Sequence, residues 1–271
     1  MPVMESYAPG TFCWADLGTP DAGAAKRFYT ALFGWTAEDR PMGPGAFYTM
    51  LTHQGRAVAA LYAQDPASGA GAPHWLNYIS VESASDTARR TRELGGTVVV
   101  EPFDVLDVGR MALVQDATGA VVALWQPLRH AGAGISGETG AICWNELATT
   151  DTDRAEAFYA GLFGWSATTH EMGGSRYTTF ARDGEPCGGM LPVDPSWGAV
   201  SPHWLVYFAV SDCDGQVALV QSLGGAVRVP PADVPGVGRF AVVADPQGAT
   251  FAMLQRRTEG RKDGRTERPN D

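Results

Sequence analysis

The chain states one structural problem twice. Residues 14–35, WADLGTPDAGAAKRFYTALFGW, return 130 positions later as WNELATTDTDRAEAFYAGLFGW at 144–165, with eleven of 22 positions identical. At an offset of 129, PHWLNY (73–78) returns as PHWLVY (202–207), and the stretch 95–126 returns as 224–255. One residue of drift over so long a span means two copies of one domain rather than a solenoid of short repeats. A fold that fits one copy must therefore fit the other.

Each copy reads as strand, helix, three strands, and then the same again. Residues 22–33 space Ala25, Phe28, Tyr29, Leu32 and Phe33 as one apolar helical face, with Asp21 at the start and Gly34 at the end. The twin is 152–163, between Asp151 and Gly164. A second helix falls at 84–94 and its twin at 212–223, each closed by a Gly-Gly pair. Strand-like stretches in copy one are 11–17, 46–52, 57–62, 74–81, 97–100, 110–115 and 120–126. Asp116–Gly119 and Asp245–Gly248 read as tight turns between the last two strands. The domains are placed at 8–128 and 140–256, joined by a glycine-rich linker at 129–139. The charged segment 257–271 has no apolar period and is expected to be disordered.

The net charge of −10 repels phosphate backbones, so no nucleic-acid partner is expected. No apolar run reaches the roughly 20 residues of a spanning helix, and the N-terminus carries no secretory pattern. A cytoplasmic protein with no membrane partner is the expectation, with oligomerisation left open. Cys13, Cys143, Cys187 and Cys213 lack metal-ligand spacing and read as reduced thiols.

The βαβββ unit, with F-Y-x-x-L-F-G-W closing its first helix, resembles the vicinal oxygen chelate superfamily of glyoxalases, bleomycin-resistance proteins and extradiol dioxygenases. The resemblance covers about 10–127 and 140–256. It implies an α+β fold of two tandem glyoxalase-like domains, each a pair of βαβββ units curled into an eight-stranded cup. It also implies where metal-dependent members would carry ligands, on the first and last strand of each unit. Those positions hold Trp14, Leu76, Ala123 and the Ala59-Ala60 pair in copy one. In copy two they hold Trp144, Leu205, Ala252 and Gly188-Gly189. None offers an imidazole, carboxylate or thiolate, so neither a metal site nor any other cofactor is expected.

Side chains two apart on a strand share a face. If the old ligand positions face the cup, copy one lines it with Phe12, Trp14, Asp16, His74, Leu76, Tyr78, Val121, Ala123 and Trp125. Copy two lines it with Ile142, Trp144, Glu146, His203, Leu205, Tyr207, Thr250, Ala252 and Leu254. From this set the ligand-binding candidates are Phe12, Trp14, Tyr78, Trp125, Trp144, Tyr207, Thr250 and Leu254. Asp16 with His74, and Glu146 with His203, are candidate acid/base pairs, since a carboxyl in an apolar cup has a raised pKa and imidazole titrates near neutrality. Their structural alternative is that both groups are satisfied locally. Arg110 and Arg239, each after a Val-Gly pair, are either carboxylate clamps or solvent-facing, and His53, His130 and His170 read as surface residues.

The function that follows is metal-independent binding of an apolar or aromatic small molecule, an antibiotic or a metabolite. The alternative is a metal-free enzyme, an isomerase, cyclase, hydrolase or hydroxylase-like activity, using the Asp/Glu and His groups. A third class is an interaction module whose cups are filled by side chains.

Overall fold

The computed structural model describes residues 4–65, 71–172 and 175–257; the tail beyond Arg257 lies outside the described residues. Copy one runs β1 (Phe12–Thr19), α1 (Ala22–Phe33), β2 (Thr36–Gly43), β3 (Ala46–His53), β4 (Arg56–Ala63), β5 (His74–Ser80), α2 (Ala84–Glu93), β6 (Thr97–Val105), β7 (Gly109–Gln115) and β8 (Val121–Pro127). Copy two repeats it as β9 (Ile142–Thr149), α3 (Thr152–Phe163), β10 (Ser166–Met172), β11 (Ser175–Arg182), β12 (Glu185–Pro192), β13 (His203–Ala209), α4 (Cys213–Ser222), β14 (Ala226–Val234), β15 (Gly238–Ala244) and β16 (Thr250–Arg256). The first helix of each copy opens on an aspartate that accepts a backbone N–H and closes on a left-handed glycine, Gly34 (φ 66°) or Gly164 (φ 71°). The sequence pattern missed β2, because every residue of TAEDRPMG is exposed and no apolar alternation marks it.

Each copy closes its own sheet, in the order β2-β3-β4-β1-β5-β8-β7-β6 and its twin β10-β11-β12-β9-β13-β16-β15-β14. The cups thus form within copies. At each centre the opening strands of the two units run antiparallel, Asp16 opposite Leu76 and Glu146 opposite Leu205. Each opening strand also pairs in parallel with the last strand of its own unit.

A bulge at the start of β1 overturns one parity assignment. Register shifts between Phe12 and Trp14, so Phe12 pairs with Ile79 and turns away from the cup. Its ring packs on Trp165 and Trp204 of copy two, with centroids 5.9 and 4.9 Å away. Ile142 does the same in copy two, paired with Phe208 and buried among convex-face residues. The extra residues, Cys13 and Cys143, join the cup side.

The convex faces of the two sheets build two mixed cores. One combines α1 and Trp35 of copy one with Val206, Phe208, Phe251 and α4 of copy two. The other combines Ile79, Val114, Leu124 and α2 of copy one with α3, Trp165, Phe180 and Trp204 of copy two. Full burial of side chains such as Phe208 and Phe251 contributes about 1.5–3 kcal/mol each.

The repeated F-Y and G-W pairs bind these cores across the interface. Tyr29 Oη donates to Asp245 Oδ2 at 3.1 Å and accepts from Trp75 Nε1 at 3.0 Å. In the mirror arrangement Tyr159 Oη donates to Asp116 Oδ2 at 2.9 Å and accepts from Trp204 Nε1 at 2.7 Å. Each aspartate uses its other oxygen to hold its own hairpin turn, Asp116 through the N–H groups of Thr118, Gly119 and Ala120. Trp35 donates to the Gly140 carbonyl and Trp165 to the Gly10 carbonyl, both at 2.8 Å.

Removing either tyrosine hydroxyl strips a buried aspartate of a donor and a buried indole of its acceptor. Tyr29→Phe or Tyr159→Phe should each cost about 2–3 kcal/mol in urea unfolding. Because both cores are shared, the two copies should unfold in one transition, read alike by circular dichroism and tryptophan fluorescence. Two separated transitions in the wild type would contradict this.

Candidate active site in the two cups

In copy one the floor of the cup holds a buried polar cluster. Asp16 Oδ2 accepts from Tyr78 Oη at 2.7 Å and from Tyr48 Oη at 2.9 Å, and Tyr48 Oη accepts from Trp14 Nε1 at 3.0 Å. Asp16 Oδ1 is buried with no hydrogen-bond partner among the described residues. Desolvation outweighs the two phenol bonds and pushes the Asp16 carboxyl up to about 6. Around the cluster lie Met50, Ala60, Leu76, Ala123 and Trp125.

Copy two repeats the cluster with one changed wall. Glu146 Oε1 accepts from Tyr207 Oη at 2.7 Å, and Trp144 Nε1 donates to Tyr177 Oη at 2.8 Å. Burial raises the Glu146 carboxyl, against the bonds from Tyr207 and Tyr177 that lower it. Gly189, beside Glu146 in the register, is what admits the Tyr177 phenol: a Cβ there would stand 1.9 Å from its oxygen. Leu205, Leu254, Phe240 and Val242 supply the apolar wall. Thr250 starts β16 on the same face, two residues before Ala252.

Tyr48 and Tyr177 were not among the sequence candidates. The repeat could have found them, because Tyr48-Thr49 and Tyr177-Thr178 match at the same offset of 129. The histidines behave differently from the proposed pairs. His74 and His203 stand at the strand starts, opposite Gly18 and Ala148, two positions along from the carboxylates. Each Nδ1 bonds a backbone carbonyl two residues earlier, of Ala72 or Ser201, at 2.9 Å. Neither is hydrogen-bonded to Asp16 or Glu146. Arg110 is tied to Asp104 at 2.6 Å, and Arg239 holds Asp214 through two nitrogens and Asp233 through a third contact. Both guanidiniums are thus engaged within the chain.

Of the histidines read as surface residues, His130 departs from that reading, whereas His170 keeps it. His170 is exposed but lies opposite Tyr177 in the register, on the cup face of β10. His130 is half-buried in the first cup, its ring 4.7 Å from that of Trp14 in an edge-to-face contact. Burial and the nearby Arg40 charge lower it to about 4. Glycine-rich surroundings hid this residue from any pattern argument.

The fold family implies a divalent metal, and the donor set does not fit one. Each cup floor offers one carboxyl, already engaged by tyrosine hydroxyls, and no described cluster of three His, Cys, Asp or Glu side chains could hold an ion.

The chain is a member of the Glyoxalase/Bleomycin resistance protein/Dioxygenase superfamily, whose family model matches residues 11–124 and 141–253. It is 43% identical over 258 residues to the putative glyoxylase CFP32 of Mycobacterium tuberculosis, covering 94% of this chain and 98% of that protein. It is 36% identical over 267 residues to the anthracycline biosynthesis protein DnrV of Streptomyces peucetius, covering 94% and 96%. Among solved structures it resembles the 2,3-dioxygenase LapB of Pseudomonas sp. KL28, with TM-score 0.62 and 12% identity over 93% of this chain and 94% of that one. It also resembles the Mn(II)-bound glyoxalase of Novosphingobium aromaticivorans, with TM-score 0.61 and 14% identity over 92% and 83%. At these identities the solved structures speak for the fold alone. No described helix is long and apolar enough to cross a membrane.

Asp16 makes stability depend on pH in a defined direction. Its pKa is higher folded than unfolded, so its contribution is full below about 4 and is lost as pH rises through about 6. Asp16→Asn should flatten the urea-unfolding free energy between pH 4 and 7 by up to about 3 kcal/mol. An unchanged slope would mean that the carboxyl ionises freely. In copy two, Gly189→Ala should displace Tyr177 and cost about 1–3 kcal/mol by overpacking. The same experiment at its counterpart, Ala60→Gly, removes only a methyl group and should not disturb the bond from Tyr48 to Asp16.

Proposed function

We propose that this protein binds an apolar or aromatic small molecule, without a metal, in the second cup. The observation that carries the reading is the makeup of that cup. Trp144, Leu205, Ala252 and Gly189 stand at the superfamily's ligand positions, around a Glu146 carboxyl whose pKa is raised. Burial favours the neutral form of that carboxyl, the form that can donate a hydrogen bond to a neutral ligand oxygen, while Trp144, Tyr177, Tyr207 and Phe240 offer ring faces and edges. Membership of a superfamily with bleomycin-resistance proteins supports such a ligand. So does the likeness to a protein named for anthracycline biosynthesis.

Acid–base catalysis on the bound molecule is the second reading. It is favoured by burial, which raises the Glu146 carboxyl and pushes that of Asp16 up to about 6. Glu146 would then transfer the proton, with Tyr177 and Tyr207 orienting its carboxyl.

Native mass spectrometry of the freshly purified protein, followed by titration with aromatic probes, tests both readings. Binding should survive dialysis against a chelator, and elemental analysis should find well under one metal per domain. Trp144→Ala should weaken binding roughly tenfold, in line with the about 1 kcal/mol worth of an aromatic contact plus lost burial. Stoichiometric zinc, iron or manganese required for binding would overturn the first reading. Turnover with a bell-shaped pH profile, lost in Glu146→Gln, would establish the second.

A further inference from the structure

The segment after β8 folds back over the Trp14 and Trp125 end of the first cup and is anchored on both sides. On the near side the N–H groups of Leu128 and His130 both donate to the Val108 carbonyl, at 3.0 and 3.1 Å. Trp125 Nε1 donates to the His130 carbonyl at 2.8 Å. On the far side Ala133 N–H donates to the Cys13 carbonyl at 2.8 Å and Gly134 N–H to the Ala57 carbonyl at 2.7 Å. Tyr7 Oη adds a bond to the Ala133 carbonyl at 2.9 Å. Between the anchors residues 129–132 form a short flap that ends on Gly132. There φ is +133° and a Cβ would lie 2.3 Å from the Cys13 oxygen, so only glycine fits.

The flap carries the His130 imidazole into the cup. The ring stands 4.7 Å from that of Trp14 at 88° and 6.0 Å from that of Trp125 at 70°, and both indoles are buried beneath it. His130 Nε2 is buried with no hydrogen-bond partner among the described residues. A neutral ring tolerates that position, whereas an imidazolium, with two N–H donors and a charge, does not. None of the groups around it offers a free carboxylate. From β2 comes Arg40, a cation, itself 3.7 Å from Glu38 on the same strand. Arg129 of the flap is engaged by exposed Asp107 of the β6–β7 turn at 2.6 Å. On β1, Asp16 lies beyond Trp14 and Tyr48, and burial favours its neutral form below about 6. Burial also keeps the Tyr7 hydroxyl and the Cys13 thiol neutral, and β8 presents only Trp125.

We propose that residues 129–132 are a lid on the first cup, closed while His130 is neutral and opened when His130 takes a proton. Opening releases two bonds, from His130 N–H to Val108 and from Trp125 Nε1 to the His130 carbonyl. Leu128 and Ala133 stay as anchors, and Gly132 absorbs the change in backbone direction. The imidazolium then reaches water, and Trp14 is uncovered with Tyr48 and Asp16 behind it. The direction with pH follows from linkage. The closed lid holds the imidazole at about 4 against its ordinary 6.5, so closure is strongest above 6.5 and weakens as pH falls, by up to roughly 300-fold. The gate belongs to the first cup and operates whether or not the second cup holds a ligand.

The test is nuclear magnetic resonance of the full chain carrying nitrogen-15 tryptophan, titrated from about pH 7.5 to about 3.5 alongside the His130 ring signals. At neutral pH the Trp125 indole N–H should be protected from solvent exchange. It should lose that protection along the same curve as His130 titrates, with a midpoint between about 4 and 6. The Trp35 and Trp165 indoles, bonded across the interface, should stay protected over that range. His130→Phe and His130→Gln, each unable to titrate, should keep Trp125 protected throughout, and Asp107→Asn should leave the wild-type curve in place. Near-ultraviolet circular dichroism checks that the variants are folded, and the coincidence of the two wild-type curves stands without them. Protection of Trp125 that persists to the lowest pH, or that is lost equally in both His130 variants, would overturn the inference. So would loss of the Trp35 and Trp165 signals together with that of Trp125, since the event would then be global unfolding.

Discussion

The crossed tyrosine–aspartate bonds hold the molecule together. Tyr29 reaches Asp245 and Tyr159 reaches Asp116, so a helix of each copy grips a hairpin turn of the other. A hydroxyl buried in an aromatic core is unfavourable unless both its donor and acceptor roles are met. Here the aspartate takes the proton, and an indole N–H, from Trp75 or Trp204, fills the lone pair. The aspartate itself tolerates burial because its second oxygen gathers the turn's N–H groups. Two hairpin turns, two helices and two strands thereby become one cooperative unit.

This arrangement explains which positions the repeat keeps. The F-Y, G-W and P-H-W elements read from the sequence as signs of a helix end and a strand start. Their more demanding role is at the interface, where Phe28, Tyr29, Trp35 and Trp75 meet the convex face of the opposite sheet. The helices, the turns and most of the strands were legible because periodicity and turn chemistry are local properties. The exposed edge strand β2 was not, since nothing in TAEDRPMG alternates. Nor was the bulge at Cys13, which reverses Phe12 while leaving the residues after it in phase.

The cup was partly legible for the same reason. Parity from Trp14 and Trp144 brought Asp16, Tyr78, Glu146 and Tyr207 to one face. Tyr48 and Tyr177 come from a neighbouring strand, whose register depends on tertiary pairing and not on spacing within one strand. His74 and His203 share the face but sit at its rim, held by backbone carbonyls. His130 lay beyond any local rule, because a linker's destination is decided by the surfaces it finds.

Fusing the two copies into one polypeptide has a consequence for how the cups can change. Were the same interface formed by two identical chains, every substitution in one cup would be imposed on the other, and no segment could cover only one. A tandem chain is free of that constraint. Trp125 can stand opposite a vacated wall at Leu254, and Ala60 opposite the opening at Gly189, without either choice being copied. One half can then be given over to rigidity while the other is released to vary, within a single reading frame.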